Sequence, residues 1–165
     1  MFYRMDSKCE DKPRRIKTLV LDFGTVRIGY AYLDPSIQMV IPGNVLPNDQ
    51  QIKQRILGLI QEQSIDQIVL GLPLNLHGAH TSSTKNAISF AQKILDWTGL
   101  PVYMVDERMT TQAGIRKVRE MGGTEKQARK VVDALSASEI AQSYLINPNL
   151  GIPVQRIISA RGSIG

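Results

Sequence analysis

Cysteine is almost absent from this chain, and long apolar runs are missing altogether. The single cysteine, Cys9, can form neither an internal disulfide nor a metal cage with other thiols. No apolar run reaches the roughly 18 residues that a membrane-spanning helix needs. The opening stretch "MFYRMDSKCEDKPRR" mixes both charge signs and lacks the apolar segment of a secretory signal, so a cytoplasmic protein is expected.

What is present is typical of one soluble globular domain. The chain has 165 residues, of which 42% are hydrophobic and 21% charged. A net charge of +5 and a pI near 9.5 favour an acidic partner such as nucleic acid. We expect a flexible N-terminal segment over residues 1–16 and a basic, flexible tail over 148–165, which has two arginines and no acid.

The hydrophobic pattern predicts an α/β fold with the element order βββαβαβαα. "TLVLDFG" and "RIGYAYLD" indicate two strands joined by a tight turn, and "IQMVIPGNVLP" a third, irregular strand. A helix of about 15 residues follows, with Asn48 or Asp49 as its cap, and then a short apolar strand, "DQIVLGLP", that stops at Gly71 and Pro73. Helices alternating with strands imply a mixed sheet covered on both faces.

Acidic residues follow two of these strands, at the edge where sites form in open α/β sheets. Asp22 ends "TLVL", and Asp106 and Glu107 end "PVYMV". Because side chains alternate along a strand, at most one of the latter two is expected to face a site shared with Asp22. The alternative for each acid is an ordinary turn or cap residue.

A third acid, Asp133, falls within a predicted helix on the same face as Ala137, Ile140 and Tyr144. An acid on an apolar face is protonated, paired with a neighbouring base such as Arg129 or Lys130, or bound to a cation. Three carboxylates brought together by a fold could hold one or two Mg²⁺ or Mn²⁺ ions for phosphodiester chemistry.

Further polar residues surround these acids in sequence. Seven basic residues against two acids lie between Arg108 and Lys130, which indicates either a phosphate-binding surface or a solvated helical face. Arg108 is a candidate phosphate contact, and Asn75 a candidate contact to phosphate or sugar. His77 and His80 are expected to be exposed loop residues, because no cysteine lies near them to complete a zinc site.

Four blocks, "LDFGTVRIGYA", "VLGLPLN", "VDERMTT" and "KVVDALSASEIAQSYL", make the chain resemble the YqgF (RuvX-like) family. Its members are RNase H-fold proteins described as Holliday junction resolvases or pre-16S rRNA nucleases. The resemblance covers most of residues 17–147 and implies a five-stranded mixed sheet whose first three strands are antiparallel. The sequence departs from the family pattern at His77, where the family usually carries an acid, so nuclease activity could be weaker or altered.

The resemblance also implies that Asp22, Glu107 and Asp133 are catalytic, metal-binding acids, with Asp106 as the alternative to Glu107. Thr25 and Arg27, which follow Asp22, then become expected supports for phosphate, with Asn75, Arg108 and Lys130 as the other nucleic-acid contacts.

The resulting hypothesis is a metal-dependent endonuclease, monomer or homodimer, that processes the 5′ end of pre-16S rRNA. The alternatives are a junction-resolving DNase, a non-catalytic RNA-binding assembly factor and, least favoured, an actin-like ATPase whose phosphate loop is "DFGT". An ATPase of that kind closes two such domains around its nucleotide, and 165 residues supply one.

Overall fold

A mixed sheet with helices on both faces forms the body of the computed structural model, which describes residues 16–74, 77–107 and 137–162. The strand order is β3-β2-β1-β4-β5-β6. β1 pairs in parallel with β4, and β4 with β5, while the other neighbours are antiparallel. The strands are β1 (Thr18–Asp22), β2 (Arg27–Asp34), β3 (Met39–Pro47), β4 (Gln67–Leu72), β5 (Val102–Asp106) and β6 (Ile152–Pro153).

Four helical segments accompany the sheet in the described part of the chain. α1 (Ile52–Gln63) connects β3 to β4, and α2 (Ser82–Thr98) connects β4 to β5. α3 is the helical stretch of residues 137–146, followed by a 3₁₀ turn, Pro148–Leu150. α4 (Val154–Gly162) ends the described residues. The predicted α/β fold and the antiparallel arrangement of the first three strands are confirmed; the sixth strand, β6, was not expected.

The larger part of the hydrophobic core lies on one face of the sheet, here called the α2 face. Leu19 and Leu21 of β1 point into it and are fully buried. α1 contributes Ile56, and α2 contributes Ile88 and Ile94, all at helical spacing. Burial of these branched side chains removes apolar surface from water and so stabilises the fold.

The opposite face, here called the α3 face, carries a smaller core. Val20, Val69 and Val105, from the three central strands, meet Ala137 and Ile140 of α3. All five are buried. The burial of Ala137 and Ile140 agrees with the apolar helix face predicted for this region.

Helix starts differ from expectation. Neither Asn48 nor Asp49 caps α1; Gln51 precedes the helix without a side-chain cap, and Asp49 instead accepts hydrogen bonds from the Gln51 amide and from Arg55. α2 begins with a capping box, in which the Thr81 hydroxyl accepts from the Thr84 amide and Thr84 accepts from the Thr81 amide.

The C-terminal segment also differs from the flexible tail that was predicted. Residues 152–153 add a strand to the edge of β5, and α4 packs Val154, Ile157 and Ile158 against the α2-face core. Val154 is fully buried. The arginines and glycines of this segment obscured three apolar residues at i, i+3 and i+4, the spacing that buries one side of a helix. Residues 1–15 lie outside the described part of the chain.

None of the helices in the described ranges is both long and apolar enough to span a bilayer.

Candidate active site

Asp22 ends β1 at the carboxyl edge of the sheet. It pairs with Gly29 of β2, and it follows Leu21, which pairs with Leu70 of β4. Alternation along β1 puts Leu19 and Leu21 on the α2 face, so the half-buried Asp22 lies on the α3 face with Val20.

The end of β5 brings Glu107 to the same place. Met104 packs in the α2-face core and Val105 in the α3-face core, so alternation directs Glu107 to the α3 face and Asp106 to the other. The side chain of Glu107 is hydrogen-bonded to that of Asp22. The structure therefore brings Asp22 and Glu107 together, whereas Asp106 acts on Glu107 through its charge alone.

Gly71 of β4 makes this meeting possible, a role that sequence reasoning missed. β4 lies between β1 and β5, and Gly71 sits directly beneath the Glu107 side chain. A carbon atom added at Gly71 would lie 2.7 Å from Glu107 Cδ and closer still to Oε1. The strand runs through Gly71 and ends at Leu72, directly before Pro73, in agreement with the predicted stop at Gly71 and Pro73. A glycine inside an otherwise apolar strand was the available signal for a close approach.

Three effects determine the pKa of Glu107. Burial raises the pKa of Glu107 above its ordinary value, the hydrogen bond with Asp22 lowers it, and the negative charge of Asp106 raises it further; the net pKa shift is upward. Two ionised carboxylates contain no donor, so a hydrogen bond between them needs one shared proton. The two side chains are therefore hydrogen-bonded only while one of them is protonated, a form that the raised pKa of Glu107 favours.

This donor set fits a hard divalent cation. Carboxylate oxygens are preferred ligands of Mg²⁺ and Mn²⁺, and a cation between Asp22 and Glu107 would replace the shared proton and remove the repulsion. The site lies at the carboxyl edge of the sheet, on a half-buried part of the surface that remains open to water. The described residues supply two ligands, which leaves the remaining positions to water, to substrate and to side chains outside the described ranges.

Thr25 and Arg27 lie close to Asp22 in the chain. Thr25 is exposed in the turn between β1 and β2, and Arg27 is the first residue of β2. Alternation along β2 places Arg27 on the α3 face with Ala31 and Leu33. Arg27 thus lies on the same side of the sheet as the carboxyl pair. It is two residues before Gly29, the β2 residue that pairs with Asp22.

The remaining predicted site residues, Asp133, Asn75, Arg108 and Lys130, lie outside the described residues, and so does the whole basic stretch from 108 to 130. His77 and His80 are described and exposed, as expected, in the loop that leads from β4 to α2. A bridge between Leu74 and His80 closes the base of that loop.

Comparison with solved structures identifies the fold class. The chain superposes on T. thermophilus RuvC in complex with a Holliday junction substrate with a TM-score of 0.54 and 16% sequence identity. The match covers 84% of this chain and 99% of RuvC. The protein therefore has the RNase H-like fold that RuvC adopts, with its carboxyl pair at the edge of the central parallel strands.

Comparison of sequences identifies the family. The family model of RuvX, described as a Holliday junction resolvase, matches residues 16–147. A Corynebacterium jeikeium protein provisionally named a pre-16S rRNA nuclease is 38% identical over 136 residues, 81% of this chain and 88% of the relative. A Protochlamydia amoebophila protein of the same name is 35% identical, covering 82% and 97%. The chain belongs to the RuvX family.

Proposed function

We propose that this protein is a metal-dependent endonuclease that cleaves structured RNA and processes the 5′ end of pre-16S rRNA. Membership of the RuvX family makes the chain a hydrolytic nuclease. The names of its relatives, pre-16S rRNA nucleases, support RNA as the substrate. The observation that carries the proposal is the hydrogen-bonded pair Asp22–Glu107 at the carboxyl edge of the sheet.

In this proposal Asp22 and Glu107 hold the metal, and Asp133 is the third ligand. A bound Mg²⁺ or Mn²⁺ would supply the positive charge that activates water and stabilises the leaving oxygen of a phosphodiester. The sequence pattern supports the assignment of Asp133, because the predicted helix puts residue 133 on the same face as Ala137, and Ala137 is buried in the α3-face core.

The other residues bind and orient the substrate. Arg27, on the face of the carboxyl pair, is proposed to contact a phosphate next to the scissile bond, where a guanidinium can donate two hydrogen bonds. Thr25 in the adjoining turn offers a hydroxyl to the same backbone. Asn75, Arg108 and Lys130 are proposed to extend this contact along the nucleic acid, which predicts weaker binding at higher salt concentrations.

The test is cleavage of a transcript that spans the 5′ region of pre-16S rRNA, with Mg²⁺ or Mn²⁺ present. Wild type should cut it at a defined position, and Asp22→Asn and Glu107→Gln should reduce the rate by about 10³-fold. Asp106→Asn is the matched control, because Asp106 is the neighbouring acid on the opposite face, and it should retain most activity.

Three outcomes would contradict the proposal. These are a wild type that is inert on the transcript with both metals, Asp22→Asn and Glu107→Gln variants that cut as fast as wild type, and an Asp106→Asn variant that loses as much activity as Glu107→Gln. A four-way DNA junction assayed in parallel separates RNA processing from junction resolution. RNA binding with no cleavage of either substrate would favour a non-catalytic assembly factor.

A further inference from the structure

A groove lined by aromatic and basic side chains lies on the α2 face, beside the turn that follows Asp22. Its volume is about 550 Å³, and its walls come from the β1–β2 turn, the start of α1 and the middle of α2. The groove contains three aromatic rings, Phe23, Phe90 and Trp97, and two lysines, Lys53 and Lys93. Both lysines are exposed, while Phe23 and Trp97 are partly exposed and Phe90 is buried.

The aromatic rings form a continuous row. The ring centroids of Phe23 and Phe90 are 4.9 Å apart, and those of Phe90 and Trp97 are 6.1 Å apart with edge-to-face geometry. Phe90 anchors the row in the core, so the two outer rings are held in place by packing. Lys53 Nζ lies 6.0 Å from the Trp97 ring centroid, which places a positive charge above one end of the row.

Hydrogen bonds fix the wall of the groove nearest the carboxyl pair. Asn48 Nδ2 donates to the Gly24 carbonyl at 2.8 Å, and the Asn48 amide donates to the Val26 carbonyl at 2.9 Å. These bonds tie the turn that carries Thr25 to the start of α1. The acid that lines the groove, Asp49, is paired with Arg55, so the two lysines dominate the charge of the groove.

We infer that this groove binds a single-stranded segment of the RNA substrate that continues past the scissile bond. Partly exposed aromatic rings stack on bases of any sequence, and lysines between them contact the phosphates; this is the composition of single-strand binding surfaces. The amide side chains of Asn48 and Asn86, also in the wall, can hydrogen-bond base edges.

The position of the groove links it to the proposed cleavage site. Asp22 and Phe23 are consecutive, and they lie on opposite faces of the sheet at its carboxyl edge. A strand held at the carboxyl pair therefore reaches the aromatic row by crossing the turn that contains Thr25, which lines the groove itself. This inference rests on the proposed function in that the bound strand is taken to be part of the RNA being cleaved.

The binding test uses Trp97, the only tryptophan in the chain, as its own reporter. The full-length protein carrying Asp22→Asn, which should not cut the probe, is titrated with single-stranded oligouridylate of about 12 nucleotides. Stacking of a base on Trp97 should quench its fluorescence in a saturable manner. The dissociation constant is measured independently by the anisotropy of a labelled oligonucleotide.

Variants of the groove should weaken binding in a defined way. Trp97→Leu should raise the dissociation constant about 10-fold, and Trp97→Phe should restore most of the affinity, because a phenyl ring can still stack. The double variant Lys53→Ala/Lys93→Ala should reduce the slope of log affinity against log salt by about 1.4, the value for two phosphate contacts on a single strand. Lys17→Ala, at the opposite end of β1, is the matched control and should leave that slope nearly unchanged.

Several results would overturn the groove assignment. These are unquenched Trp97 fluorescence at saturating oligonucleotide, an equal loss of affinity in Lys17→Ala and in the groove variants, and binding of uridine monophosphate as tight as that of the oligonucleotide. If the groove variants cleave the pre-16S transcript at the wild-type rate and bind RNA as tightly as wild type, this inference is refuted and the proposed function is left intact. If RNA quenches Trp97 fluorescence but the wild-type protein cleaves no substrate, the proposed function is refuted and the groove assignment is kept.

Discussion

The two faces of the central sheet are built for different tasks. On the α2 face, Leu19, Leu21 and Ile68 meet α1, α2 and α4 in a continuous apolar core. On the α3 face, the described core is smaller and includes Val20, Ala137 and Ile140, and Asp22 and Glu107 lie at its edge. Among the described residues, the larger apolar core thus lies on one face and the carboxyl pair on the other.

The difference teaches how a single strand can serve both purposes. β1 alternates between the faces, so two neighbouring residues, Leu21 and Asp22, belong to different environments although one peptide bond joins them. The fully buried Leu19 and Leu21 anchor β1 in the α2-face core, and this packing keeps the Asp22 carboxyl in position. Repulsion between the two carboxyls is thereby tolerated, because the large core on the α2 face offsets it.

The largest effects are expected from substitution of Leu21, which should lower stability, and of Asp22, which should lower activity. Leu21→Ala removes a fully buried side chain and should lower the free energy of unfolding by about 2–5 kcal/mol, while the folded fraction stays active. Asp22→Asn should reduce cleavage by about 10³-fold without lowering stability. Urea unfolding and single-turnover cleavage of the same preparations measure both effects. Equal losses of unfolding free energy in the two variants would show that Asp22 is a structural residue.

The next largest effect is expected at Gly71, which tests whether close approach across β4 positions Glu107. Gly71→Ala should displace the Glu107 carboxyl from Asp22 and reduce cleavage by about 10- to 100-fold. Because the site rather than the fold is disturbed, a raised metal concentration should recover part of the lost rate. Cleavage rates measured over a range of Mg²⁺ concentrations report this directly.

Gly58→Ala is the matched control for that substitution. Gly58 lies in α1, and an added carbon there would meet nothing within 4 Å. Alanine favours the helix by about 1 kcal/mol over glycine, so this variant should melt at a higher temperature and cleave normally. A Gly71→Ala protein with unchanged cleavage would show that Glu107 reaches its position by another route.

Much of the fold could be predicted because its signals are local. The alternation in "TLVLD" and "RIGYAYLD" gave β1 and β2, and the helical spacing of apolar residues gave α1 and α2. The resemblance to an RNase H-like family added the strand directions, which no single stretch of sequence contains. β6 and α4 escaped prediction because the three α4 residues that pack against the core, Val154, Ile157 and Ile158, are dispersed among polar ones.

The candidate site depended on information that is not local. Asp106 and Glu107 are equivalent in a one-dimensional pattern, and the fold favours Glu107 by bringing its carboxyl against Asp22, which is 85 positions away. The role of Gly71 depends on a side chain from the neighbouring strand, so its own segment could not reveal it. The assignment of Asp133 stays a prediction, because that residue is outside the described ranges.

A smaller effect is expected from Glu107→Gln on the stability of the metal-free protein. The pKa of Glu107 is raised in the folded state, so its contribution to stability is present at low pH and is lost as pH rises from about 4.5 through the folded-state value. Glutamine does not ionise. The variant should therefore melt at a higher temperature than wild type at pH 8, and the difference should shrink towards pH 5.

Added Mg²⁺ should make wild type melt at a higher temperature than Glu107→Gln, because the cation stabilises a native state that binds it. At pH 8, wild type should gain thermal stability with Mg²⁺, and Glu107→Gln should gain less. Glu62→Gln, an exposed substitution on α1, is the control and should follow wild type in both series. A Glu107→Gln protein whose melting temperature differs from wild type by the same amount at every pH would refute the role of this carboxyl.

The smallest effect concerns the start of α2, which belongs to the stabilising face. Thr81 caps this helix by accepting a hydrogen bond from the Thr84 amide, so Thr81→Ala should lower the free energy of unfolding by about 1 kcal/mol. Ser82→Ala, one residue further on and exposed, should change it by less than about 0.5 kcal/mol. Cleavage per folded molecule should be unchanged in both, as expected for a face that supports the site without taking part in its chemistry. A slower rate in Thr81→Ala at full folding would mean that the start of α2, together with the loop that ends at His80, also orients the substrate.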